Sequence, residues 1–94
     1  MWPTMEQAGG ACLATLAGHS GPVNSVAIHG ENIISGSSDK TIKIWNLEGE
    51  CVKTLKGHSL GVTSLAIHGQ TIISGSYDKT IKIWILEGEC VKTI

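Results

Sequence analysis

The sequence has no excess of basic residues. Seven Lys and Arg stand against eight Asp and Glu in 94 residues, a net charge of −1. The cationic footprint that neutralises nucleic-acid phosphates is therefore missing. No apolar run approaches the roughly 18–20 residues of a membrane span. The N-terminus lacks the charged start and apolar core of a secretion signal. Neither a nucleic-acid partner nor a membrane is expected. Cysteine is scarce and odd in number: Cys12, Cys51 and Cys90. Free thiols in a reducing compartment, the cytoplasm or another intracellular one, are expected in preference to an intermolecular disulfide. Phenylalanine is absent, while Ile, Val and Thr are frequent and 12 Gly punctuate short segments. That composition favours strands.

Motifs of catalysis and ligand binding are missing too. There is no G-x-S-x-G elbow. No C-x-x-C or H-x-x-x-H spacing suits a metal, and His29 and His68 read as exposed turn residues. The SGS stretches lack the lysine and helix start of a phosphate loop. No enzymatic activity, cofactor or metal is expected.

What the chain does have, it has twice. GSSDKTIKIWN at residues 36–46 returns as GSYDKTIKIWI at residues 75–85. A shift of 39 places Cys12 on Cys51 and then on Cys90, and residues 12–50 match residues 51–89 at 28 of 39 positions. Residues 90–94 begin a third copy, and residues 1–11 lie outside the pattern, reading as a flexible tail in which Trp2 is the one large apolar ring. A period of this length marks a stacked array of supersecondary units.

Each unit holds four short apolar runs separated by turn signals, the pattern of an antiparallel meander. In the second unit these are VTSLAI (62–67), TIISGS (71–76), TIKIWIL (80–86) and CVKTI (90–94). The first unit repeats them as VNSVAI, NIISGS, TIKIWNL and CVKTL. Ile81 and Ile83 face one way and Trp84 the other, so neither side is plainly polar. A sheet apolar on both faces has to be covered on both.

Gly-His at 18–19 and 57–58, Ser-Gly-Ser at 35–37 and 74–76, Asp39 and Asp78, and Trp45 and Trp84 at the end of the third run closely resemble the WD-repeat family of β-propellers. The resemblance covers residues 12–94. It departs after each Trp, where the family usually has Asp and this chain has Asn46 and Ile85. It implies an all-β fold of two four-stranded propeller blades, residues 23–55 and 62–94, plus one extra outer strand at residues 12–16. It also implies a buried structural network of His19, Ser35, Asp39 and Trp45, repeated as His58, Ser74, Asp78 and Trp84. Ser, His and Asp together invite a hydrolase reading, but the set occurs twice and a Trp donor would occupy the serine oxygen.

The copies differ most at Gly21/Leu60, Pro22/Gly61, Asn24/Thr63, Ser38/Tyr77 and Asn46/Ile85. The first four pairs fall at one end of a blade, which in the family is the usual partner surface. Selection for a partner and drift at an unconstrained surface both produce such a pattern. The expected partner-binding face holds Leu60, Tyr77, Lys79, Ser38 and Lys40. Its lysines suit an acidic or phosphorylated protein or peptide, while the opposite turns carry Glu31, Glu48, Glu50, Glu87 and Glu89. The implied role is a protein-interaction scaffold of the kind found in signalling, ubiquitin-ligase or chromatin assemblies. A piece of a larger propeller, or an amplified or designed ring without an evolved ligand, are the alternatives. Two blades leave apolar faces uncovered, so a homo-oligomer is expected, four chains in preference to three.

Overall fold

The structure is a computed structural model that describes residues 12–94. The tail expected at residues 1–11, with Trp2, lies outside the described residues. The described chain is all-β. The first sheet orders β1 (Val23–His29), β2 (Asn32–Ser37), β3 (Thr41–Trp45) and β4 (Cys51–Lys56) as a simple meander. The second orders β5 (Val62–His68), β6 (Thr71–Ser76), β7 (Ile81–Ile85) and β8 (Cys90–Thr93) in the same way. All neighbours are antiparallel, and equivalent strands hold equivalent registers, Ile34 opposite Ile44 in the first sheet and Ile73 opposite Ile83 in the second.

The turns follow from local chemistry. His29 pairs with Asn32 and His68 with Thr71 across two-residue loops, each beginning with a glycine in the left-handed region, Gly30 at φ 59° and Gly69 at φ 60°. The Asp-Lys turns also need a left-handed residue, and here it is Lys40 at φ 79° and Lys79 at φ 71°. A side chain in that region costs roughly 1–2 kcal/mol. The third strand stops at Trp45, two residues before the apolar run ends. There the Asn46 N–H donates to the Glu50 carbonyl at 2.9 Å and the main chain turns over.

Residues 12–16, expected as an extra outer strand, pair with no strand among the described residues. The edge they would need is that of a third strand preceding β1, and no such strand lies among the described residues. Their local form is still that of an outer strand. The Cys12 thiol donates to the Ala14 carbonyl at 3.1 Å, as Cys51 does to Lys53 at 3.4 Å and Cys90 to Lys92 at 3.5 Å.

The core lies between the two sheets. Ile34, Ile42, Ile44 and Leu55 of the first meet Val62, Ile72 and Trp84 of the second. Contact is closest at the first strands. Val62 lies so near Gly36 that a Cβ there would sit 2.6 Å from its Cγ1. Only a residue without a side chain allows this approach. Polar bonds cross the same joint: Asn24 Nδ2 donates to the Val62 carbonyl at 2.8 Å, and the Leu65 N–H donates to Ser25 Oγ at 3.2 Å.

Candidate functional site

In each blade the loop before the first strand lays a histidine across the second and third strands. Gly18 permits this in the first blade: a Cβ there would come 3.0 Å from the Trp45 ring. His19 Nδ1 lies 2.9 Å from Asp39 Oδ2, and its Nε2 lies 2.7 Å from Ser35 Oγ. Trp45 Nε1–H donates to the same Ser35 Oγ at 2.8 Å. The second blade repeats the distances, with His58 2.9 Å from Asp78, 2.7 Å from Ser74, and Trp84 donating to Ser74 at 2.8 Å. The carboxylate only accepts, so histidine Nδ1 carries the proton there. The serine oxygen accepts from tryptophan and gives its hydrogen to Nε2. Every member is satisfied, the condition under which a buried polar network rigidifies a fold.

The carboxylates are held ionised. Burial opposes ionisation of Asp39, but bonds from the Thr41 hydroxyl, His19, and the N–H groups of Ser20 and Thr41 outweigh it and hold the carboxyl far below the usual range. For Asp78 the Thr80 hydroxyl bond is the largest cause, working against burial and joined by bonds from His58 and the N–H groups of Ser59 and Thr80. Sequence reasoning missed these threonines. It also missed Ser37 and Ser76, whose hydroxyls accept from the N–H of Asp39 and Asp78 at 3.0 Å and donate to the carbonyls of Gly21 and Gly61. The available signal was the S-x-D-K-T string, present in both copies.

The Asp–His–Ser connectivity is that of a hydrolytic triad, but the surroundings differ. Ser74 is fully buried, Ser35 nearly so, and each oxygen is covered by an indole donor. A substrate carbonyl has no approach to either. The three thiols are free and lie on separate segments, Cys12 and Cys51 exposed and Cys90 half-buried.

Above the networks lies the rim where the repeats differ. The Tyr77 N–H donates to the Gly61 carbonyl at 3.1 Å, so the turn bearing Tyr77 abuts the loop bearing Leu60. Both side chains are exposed. The matching bond in the first blade runs from the Ser38 N–H to the Pro22 carbonyl at 2.9 Å. Lys40 and Lys79 stand in the same turns, next to Asp39 and Asp78 in sequence. At the opposite end, Asn46 replaces the family aspartate and still holds its turn, donating to Glu50 Oε1 and accepting from the Glu50 N–H. Lys53, unassigned from sequence, reaches across the joint to the Glu87 carbonyl at 2.6 Å.

Comparison with known proteins agrees with this geometry. The family described as "WD domain, G-beta repeat" matches residues 10–46 and 49–84. Nuclear distribution protein PAC1 of Candida albicans is 56% identical over 39 residues, which covers 39% of this chain and 8% of that protein. Periodic tryptophan protein 2 homolog of Caenorhabditis elegans is 47% identical over 38 residues, 40% of this chain and 4% of that one. E3 ubiquitin-protein ligase TRAF7 of Mus musculus is 49% identical over 37 residues, 37% of this chain and 8% of the ligase. The chain thus spans less than a tenth of the length of these relatives. Among solved structures, the computationally designed Ika4 protein superposes with a TM-score of 0.78 at 32% identity, covering 87% of this chain and 52% of that one. With two tandem matches across most of its length, each holding the first three strands of one blade and that blade's His–Ser–Trp network, the chain belongs to the WD-repeat family.

Proposed function

We propose that this chain is a non-enzymatic protein-interaction scaffold module, completed by self-assembly into a closed ring of blades. The observation that carries the reading is the uncovered apolar surface. Val23, Val26 and Ile28 on one side of the pair, and the strand residue Ile81 with Ile94 just past β8 on the other, are exposed. Soluble monomers rarely leave contiguous apolar patches beyond a few hundred Å². Two-blade chains close only into even-numbered rings, four chains with eight blades first and three chains with six second. The partner surface is the rim at Leu60, Tyr77 and Lys79, with Ser38 and Lys40, facing an acidic or phosphorylated protein or peptide in a reducing compartment. Light scattering tests assembly directly, and a stable folded monomer at micromolar concentration would sink it. Replacing Leu60 by Gly and Lys79 by Ser tests the rim. Capture of a partner found by pull-down should fall sharply with the ring intact, and undiminished capture moves the site elsewhere.

A second reading is that these blades belong to a larger WD-repeat protein, whose other parts carry the activity. The small share of each relative that the chain spans supports it. Aggregation of the purified chain, cured by co-expression with further blades, would select this reading.

A further inference from the structure

We propose that the contact between two copies repeats the joint between the two blades of one copy: the outward face of β1 and β2 in one chain seats on the outward face of β6 and β7 in the next. This rests on the assembly reading above and names its contact surface. The internal joint is the template. Residues buried in it have repeat equivalents that lie uncovered. Val62 is 0% exposed and its equivalent Val23 is 52% exposed. Ile42 is 0% exposed and Ile81 is 44%; Leu55 is 2% exposed and Ile94 is 64%. The two uncovered sets lie on opposite sides of the blade pair, so a second copy in the same orientation presents what each lacks. Such a contact is head-to-tail, and it closes if the rotation closes.

The small features repeat with the large ones. Val62 sits over Gly36, and Gly75 offers the same bare backbone to Val23 of a second copy. A Cβ at Gly75 would meet only Ser64 Oγ at 3.1 Å and Thr63 Oγ1 at 3.9 Å, both in its own blade. Ser25 Oγ accepts the Leu65 N–H inside the chain, and Ser64 stands ready for the Val26 N–H of a second copy. Lys53 bridges to the Glu87 carbonyl, and Lys92 is placed to bridge to that of Glu48. That bridge would favour residues 90–94 at the edge of β7 over residues 12–16 of a neighbour, which carry Ala14 where Lys92 stands.

Three of the five pairs at which the repeats differ most, Pro22/Gly61, Ser38/Tyr77 and Asn24/Thr63, fall on this joint. Gly61 packs against Ser38 inside the chain, a Cβ on it falling 3.0 Å from the Ser38 Cα. The corresponding pair between copies is Pro22 against the Tyr77 main chain, so the contact opens by a few tenths of an ångström there and the Tyr77 ring stays on the rim. Asn24 donates to the Val62 carbonyl, whereas Thr63, its equivalent, has too short a side chain to reach the Val23 carbonyl in that way. The contact between copies therefore has one hydrogen bond fewer than the joint inside a copy.

The test blocks one face at a time. Val26→Lys charges the first face and Ile81→Lys the second, both at exposed positions that leave each blade's own fold alone. Each variant, with an unchanged circular dichroism spectrum, should have the mass of one chain in light scattering. Mixed in equal amounts they should give a two-chain species and nothing larger, because one intact face remains on each. A mixture that stays at one chain while the unaltered protein assembles overturns the joint, as does either variant assembling alone. An unaltered protein that is itself monomeric overturns the assembly reading and the joint together. As a gain of function, Thr63→Asn should restore the missing bond and tighten assembly about fivefold. Unchanged or weakened assembly would remove residue 63 from the contact.

Discussion

At the scale of the residue, the histidines separate by environment. His58 is buried and bonded through both ring nitrogens, whereas His68 is exposed at the end of a hairpin. His58→Ala should lower stability by roughly 1–3 kcal/mol, because it leaves a buried serine and a carboxylate short of a partner. His68→Ala should change it by less than about 0.5 kcal/mol. Equal shifts in a urea melt would contradict this placement of the network. The carboxylates predict an acid limb. Asp39 and Asp78 have folded pKa values below their unfolded ones, so their contribution is complete above the unfolded value of about 3.9. It is lost as pH falls below that toward the folded values. Changing both to Asn should lower stability at neutral pH and flatten the decline measured between about pH 4 and pH 2.

At the scale of the element, the two equivalent glycines should respond differently. Gly36→Ala drives a methyl into Val62 at the joint between blades and should cost roughly 1–3 kcal/mol by overpacking. Gly75→Ala meets only the flexible Ser64 and Thr63 hydroxyls. It should leave thermal melting of an assembly-blocked chain nearly unchanged while weakening assembly of the unblocked one. Losing stability equally from both would mean that the joint is not the reason for Gly36. The turn after the third strand gives a smaller contrast. Asn46→Ala removes two bonds to Glu50 and should cost about 1 kcal/mol, a loss readable in the same melts.

At the scale of the whole molecule, the proposed assembly makes stability depend on concentration. In the proposed ring the outer blade faces are covered only by other copies, so the melting temperature should rise with protein concentration. Four chains of 9.9 kDa make a particle of about 40 kDa. A melting temperature constant over a hundredfold range of concentration, with the mass of one chain throughout, would set assembly aside.

Strand positions were legible because each apolar run ends at a residue that turns the chain, and eight observed strands lie within the eight runs to within one or two residues. The network was legible only through family resemblance, since His19 and Asp39 stand 20 residues apart and nothing local says that they meet. Thr41 and Ser37 were overlooked because hydroxyls in a strand or turn look like ordinary β-formers until their acceptors are seen. Residues 12–16 show the opposite limit. Their letters match an outer strand, yet a strand is defined by its ladder, and no partner for one lies among the described residues. Sequence alone therefore determined the unit, its four strands and its period, because these depend on alternation and turn chemistry within about 40 residues. Only tertiary structure decided which equivalent residues are buried and which are bare. Burial depends on what stands on the other side, and for identical strands at the two ends of this chain that differs.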